Sequence, residues 1–480
     1  MQADRRRSAF AYIAGSLIVL AYFVYFVRPG LHVHFADDDP MNMYYYWSRG
    51  PWALLKGLLL FFTTYYRPLG GAFYLGLYHF FGLNPLPYHI AITCLLLCNV
   101  WLAYRFVSRI SGSPLLAGLC ALIVVYHGQM AALVYLPSFI YDVLCFTFYF
   151  LAFNYYLSIR TRNVLPGKWQ TVAFLLLAIA ALDAKEMAVT LPVMVLFYEA
   201  LWHPPVSWRW PRLLDWARRE ALPPLVLGLL TAVYIVGKSF GVDALSKMPA
   251  YQSEFTLRRY FESTSRFLNT FLYQPLETGF FHARAAVLLL AAVLLLLAWR
   301  RREKHLWFAC VFVAIAPLPI TFLPSRGGAN LYIPLCGWAM IVATLFLWLC
   351  GCIAKAPFLS KAPAATSAIL VLLGVALLWR ETDLENPRAA FEKEGRVTWA
   401  LIQDFRALQP SVKPGSRIVV LDDYFFGWDV FFIAELTIGD HSVNVWLQKK
   451  TPLPPAEIEK MDYILTIRDG RLVRLKPAAG

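Results

Sequence analysis

The stretch AAVLLLAAVLLLLAWRRREKHLWFACVFVAIAPLPITF, residues 285–322, decides the fold. Residues 285–299 carry no charge, the knot Arg300-Arg301-Arg302-Glu303-Lys304 interrupts them, and a second apolar run follows His305. Runs of this kind approach the roughly 20 residues a helix needs to cross a bilayer. Backbone N–H and C=O groups have no water to bond in hydrocarbon, so a spanning segment of this length is a helix. A short, strongly basic link between two such runs marks a cytoplasmic loop. The same alternation recurs along the 480 residues, of which 59% are hydrophobic, 16% aromatic and only 15% charged. The mean hydropathy is +0.53. Soluble domains carry about 25% charged residues, so a soluble fold, a disordered chain and a disulfide scaffold are excluded.

The pattern predicts an all-α polytopic membrane protein with about eleven spans, near 8–27, 88–108, 114–131, 139–158, 170–182, 187–202, 221–240, 284–299, 305–323, 331–350 and 364–379. Arg5, Arg6 and Arg7 followed by apolar residues to Val27 read as an uncleaved first span with the N-terminus in the cytoplasm. Threaded that way, eighteen Lys and Arg fall in cytoplasmic loops. Six fall in short external ones: Arg28, Arg49, Lys56, Arg67, Lys185 and Arg326. The net charge of +14, from 44 basic against 30 acidic residues, is therefore a topology signal and not a nucleic-acid face. Residues 68–82, too short to span, read as an external re-entrant or interfacial helix. The first external loop then extends from Arg28 to about Pro87, and a second long external segment covers 241–283. Residues 1–380 form the expected membrane domain. Residues 381–480 form a small α/β extracytoplasmic domain in which SRIVVLDDYFFGWDVFF, 416–432, reads as a strand, a turn and a second strand or helix.

Candidate chemistry collects in the external loops. In HVHFADDDP, residues 32–40, three adjacent carboxylates at a membrane surface repel one another, and low dielectric raises the pKa of at least one, as a general base requires. The alternative is a solvated loop or helix cap. His32, His34 and Asp37 could also hold a divalent metal. Asp183, Lys185 and Glu186 lie in LDAKEM, residues 182–187, an external turn whose lysine suits a lipid phosphate or a local ion pair. Tyr66 and Arg67 lie in YYRPLG, residues 65–70, which suits phosphate and sugar or an aromatic belt. Arg326 and Tyr332 lie in the last external loop, and Asp142 opens the fourth span. Asp422 and Asp423 read as a strand edge, and Cys350 and Cys352 as reduced thiols. No phosphate-binding glycine loop or dinucleotide fingerprint is present.

The order of an external acidic cluster, Tyr-Arg-Pro-Leu at 66–69, Gly82-Leu83-Asn84-Pro85 with Tyr88-His89, Asp142, Ala184-Lys185-Glu186 with Thr190-Leu191-Pro192, and Leu331-Tyr332-Ile333-Pro334 resembles the GT-C superfamily of integral membrane glycosyltransferases. It is most similar to the protein O-mannosyltransferase branch and the tetratricopeptide-bearing transmembrane O-mannosyltransferases. The resemblance covers about residues 8–350. It implies a polyprenyl-phosphate sugar donor, a hydroxyl acceptor on a protein, lipid or envelope glycan, and an external active site. Asp38 is the first implied base, with Asp37 and Asp39 as alternatives because the triplet leaves the register open. Arg67, Lys185 and Arg326 would hold the lipid phosphate, supported by Glu186, Asp142, Tyr66 and Tyr332. Asn330 stands where the family pattern has arginine, and the tail lacks tetratricopeptide repeats. A bacterial inner membrane is the expected location. The rival readings are a transporter or flippase of a lipid-linked anionic saccharide, which would need a polar path through the cytoplasmic half of the spans, and a non-catalytic scaffold.

Overall fold

The computed structural model of the chain describes residues 2–240, 244, 247–273, 280–324, 326–356, 362–423, 425 and 427–475. The protein is a polytopic helical membrane protein with a small sheet near its C-terminus. Among the described residues, seven helices are long and apolar enough to cross a membrane: Ile13–His32, Pro85–Ser111, Pro137–Arg160, Leu222–Ser239, Lys304–Thr321, Gly328–Ala354 and Pro363–Ser411. The other four expected spans fall on Pro114–Val125, Lys168–Ala184, Leu191–Trp202 and Phe280–Arg301. Proline shortens two of these. Pro114 and Pro192 sit in the first turn, where their missing N–H breaks no helical bond, and so fix where each helix begins. Past Val125 the chain becomes extended at Tyr126 (φ −157°), so the expected run 114–131 breaks before its end.

Helix Ile140–Arg160 is the hub. Its face toward Pro85–Ser111 is closed by Asn99, whose Nδ2 donates to the Val143 carbonyl at 3.1 Å while its Oδ1 accepts from Thr147 at 2.7 Å. Such polar clamps matter between membrane helices because lipid tails are as apolar as leucine and supply no hydrophobic drive for association. At the other end of the hub, Arg160 is bidentate to Glu199 (2.8 and 2.7 Å) and bonds Glu220 at 2.6 Å. The first and last spans meet through Tyr22, which donates to Thr382 at 2.9 Å.

The loop after the first span, expected to be external, is itself helical. Asp39–Leu59 breaks at Gly50 (φ 76°), because Pro51 disfavours the α region for the residue before it and glycine enters the left-handed region without a Cβ clash. Helix Pro68–Phe81 lies where an interfacial helix is expected, with Phe80 exposed. The second segment expected to be external is only partly described, residues 241–243, 245–246 and 274–279 being outside, and contains helix Leu257–Leu272.

In the C-terminal region β1 (Arg417–Val420) lies between β2 (Asn444–Leu447) and β3 (Tyr463–Arg468), parallel to both. β4 (Arg471–Arg474) pairs antiparallel with β3, giving the order β2-β1-β3-β4. The element after β1 is the helix Asp429–Ile438; Tyr424 and Phe426 lie outside the described residues. This helix packs on Asp39–Leu59 through Tyr44 against Phe431 and Phe432, and Tyr78 donates to the Leu436 carbonyl at 2.6 Å. His34 stacks on Trp399 with ring centroids 4.6 Å apart, and a Cβ on Gly395 would lie 2.7 Å from the His34 carbonyl oxygen. The tail thus rests directly on the loop that carries the aspartates.

Candidate active site

A cavity of about 350 Å³ opens among the helix ends expected to be external. Asp38, Tyr66, Arg67, Asp142, Lys185, Glu186 and Arg326 all line it, drawn from five separate stretches of sequence. Lys238, Tyr234, Tyr141, Tyr251, Asn42 and Asn330 complete the polar wall.

The three aspartates have three different environments. Asp39 is fully buried, and its carboxylate accepts from the Ala36 N–H at 3.0 Å and the Ser138 N–H at 2.5 Å. It ties the loop to the hub, with burial pushing its carboxyl well up despite the two donors. Asp37, in the left-handed region (φ 49°), is not part of the cavity wall. Asp38, at the helix N-cap, is the one that faces the cavity. Loss of water raises its carboxyl to about 6, with the negative charges of Asp37 and Asp429 adding to the effect and Arg326 and Arg67 opposing it.

Arg67 also occupies the left-handed region (φ 38°), held there by Tyr46, whose hydroxyl donates to the Tyr66 and Arg67 carbonyls at 3.0 and 3.2 Å. Its guanidinium forks onto Glu186 (3.2 and 2.8 Å), donates to the Tyr251 hydroxyl at 3.2 Å, and lies 4.6 Å from the Tyr66 ring centre and 5.0 Å from that of Tyr141. Burial would raise the Glu186 carboxyl, but the arginine charge and its hydrogen bonds outweigh burial and hold it down at about 2.

Lys185 is buried and donates to both oxygens of Asp142, at 2.6 and 2.7 Å, and to Asn330 Oδ1 at 2.6 Å. Asn330, where the family pattern has arginine, is therefore part of the lysine's cage. Arg326 lies 4.9 Å from the Tyr251 ring centre. Lys238, which sequence reasoning did not single out, ends helix Leu222–Ser239 with its ammonium donating to the Tyr65 carbonyl at 2.6 Å. A lone lysine at the expected external end of an apolar span was the signal that could have found it.

Tyr332 is not brought to the cavity. It is buried against Phe146 (4.2 Å, stacked), because it opens a helix whose first turn faces the core. His32, His34 and Asp37 are the candidates for a divalent metal. His34 is stacked on Trp399, and among the described residues no group of three or more His, Cys, Asp or Glu is placed to hold a metal ion.

A membrane body of apolar helices, a cavity floored by the loop after the first span, and a small sheet-bearing region capping that loop make up the fold. Two solved structures of ArnT from Cupriavidus metallidurans share it. One, in the apo state, matches with a TM-score of 0.52 at 14% identity over 98% of this chain and 98% of that one. The other, bound to undecaprenyl phosphate, matches with a TM-score of 0.53 at 14% identity over 96% and 97%. No family model matches the chain, and no curated protein matches it.

Proposed function

We propose that this protein is a membrane glycosyltransferase that moves one sugar from a polyprenyl-phosphate donor to a hydroxyl acceptor on the external face. The observation that carries the reading is the cavity itself, in which one poised carboxylate, Asp38, faces cations otherwise scattered from residue 67 to residue 326. The shared fold with ArnT, in one case bound to undecaprenyl phosphate, supports the donor class.

Asp38 takes the acceptor proton as the acceptor oxygen attacks the anomeric carbon. The bond from that carbon to the phosphate oxygen breaks, and polyprenyl phosphate leaves with the electron pair. A carboxyl raised to about 6 is a better base than an ordinary aspartate and is still ionised at neutral pH. Arg67, Lys185 and Arg326 supply positive field where charge grows on the phosphate, and Glu186 and Asp142 hold the first two in place. Attack from the face opposite the phosphate inverts the anomeric centre. A mannosyl donor and a protein acceptor, as in the O-mannosyltransferases, are the first candidates, and an envelope lipid or glycan is the other acceptor class. The chain sits in a bacterial inner membrane with its N-terminus cytoplasmic and its C-terminal region external.

The test offers radiolabelled polyprenyl-phosphate mannose and glucose separately to purified protein in detergent. Release of sugar to water or acceptor from one donor, lost in a folded Asp38→Asn variant, is the expected result. Turnover of neither donor by wild type, with transport of a lipid-linked saccharide in vesicles, would replace the transferase with the flippase reading.

A further inference from the structure

The cavity wall holds four cations, Arg67, Lys185, Lys238 and Arg326, and three carboxylates, Asp38, Asp142 and Glu186. Their pairing is unequal. The Arg67 fork is committed to Glu186, and the Lys185 ammonium spends its three protons on the two Asp142 oxygens and Asn330. Both cations thereby have their donors committed within the protein and reach a ligand through their field. Lys238 differs. It is only 8% exposed, its one described hydrogen bond goes to a backbone carbonyl, and among the described residues it forms no ion pair.

Beside it stands Tyr234, one helical turn earlier on the same face, with its ring centre 5.5 Å from the ammonium. Tyr234 is 1% exposed and lines the cavity, yet among the described residues its hydroxyl has no hydrogen-bond partner. Among the described residues no carboxylate bonds the Lys238 ammonium, on which Glu186 and Asp183 act only from a distance, and one anionic oxygen ligand between it and the Tyr234 hydroxyl would satisfy both groups. A lipid-linked phosphate entering from the bilayer would reach the end of helix Leu222–Ser239, which is itself apolar enough to span.

Building on the transferase reading, we propose that Lys238 and Tyr234 form the anion-binding pair of this cavity and take the phosphate of the polyprenyl-phosphate lipid. Lys185, by contrast, donates all three of its protons to Asp142 and Asn330 and acts on the phosphate only through its field.

The test is equilibrium binding of radiolabelled undecaprenyl phosphate to the full-length protein in detergent, with undecaprenol and inorganic phosphate as competitors. A charge-assisted hydrogen bond is typically worth enough for a tenfold or larger change. Lys238→Met is expected to weaken undecaprenyl phosphate about tenfold or more and to leave undecaprenol competition unchanged. Lys238→Arg should recover most of the loss, and Tyr234→Phe should cost a few-fold. Wild-type-like binding by Lys238→Met, in a protein that still turns over donor, overturns the Lys238 assignment and leaves the transferase reading intact. If wild type binds inorganic phosphate as tightly as the lipid, and Lys238→Met loses both, the pair is a free-anion site and the lipid assignment falls. If wild type binds no polyprenyl phosphate at all, the transferase reading fails with it.

Discussion

Replacing Asp142 by Asn probes the most deeply buried charge pair of the cavity. Asp142 and Lys185 are 5% and 6% exposed at the side chain and meet at 2.6 Å. Removing one partner strands the other in a low-dielectric wall, at a cost of about 3–5 kcal/mol. Asp142→Asn and Lys185→Met should therefore each lose about 3–5 kcal/mol. Asp142→Asn/Lys185→Met together strand no charge and should lose well under the sum, a coupling of at least about 2 kcal/mol. The assay is reversible unfolding in mixed micelles of dodecyl maltoside and dodecyl sulfate, followed by circular dichroism. Additive losses, within about 0.5 kcal/mol, would show that the two groups are not coupled and refute the reasoning.

Three further outcomes follow from the same geometry. Asp38 must be ionised to act as a base, so the transfer rate should rise with pH through about 6 and fall roughly tenfold per unit below it; a rate profile flat from pH 4.5 to 8 contradicts the assignment. After burial, Asp37 and Asp429 are the charges that hold Asp38 up, so Asp429→Asn should move that acid limb to lower pH, and an unmoved limb would mean that the tail does not act on the base. A Cβ on Gly70 would lie 2.2 Å from the Tyr141 ring, so Gly70→Ala should displace that ring from beside Arg67 at a cost of about 1–3 kcal/mol, read in the same micelle titration and as weaker donor binding.

Much of the site was legible because charge in an otherwise apolar chain is conspicuous. Arg67, Asp142, Lys185, Glu186 and Arg326 are among the few ionisable residues expected at external span ends, and hydropathy with the charge asymmetry of the loops placed them on one side. The choice among Asp37, Asp38 and Asp39 was not legible. Adjacent identical residues share composition and spacing, and only the backbone turn at Asp37 and the two N–H donors on Asp39 leave Asp38 at the cavity. Tyr332 reads as a site residue through its place beside Arg326 and in Leu331-Tyr332-Ile333-Pro334, but the direction of a helix's first turn is set by packing, here against Phe146. Hydropathy continues past Val125 and begins before Pro192 and so overextends the spans 114–131 and 187–202, while the helix itself obeys local backbone geometry.

The sequence by itself determined that the chain is helical, spans a membrane and keeps its charges at the ends of its spans, because the cost of burying polar groups in hydrocarbon is large and local enough to be read one residue at a time. Which cation neutralises which carboxylate, and which buried lysine is left with only a backbone oxygen, the tertiary structure alone decided. Those pairings join residues 43, 119 and 145 positions apart, and a Coulomb interaction depends on distance in space.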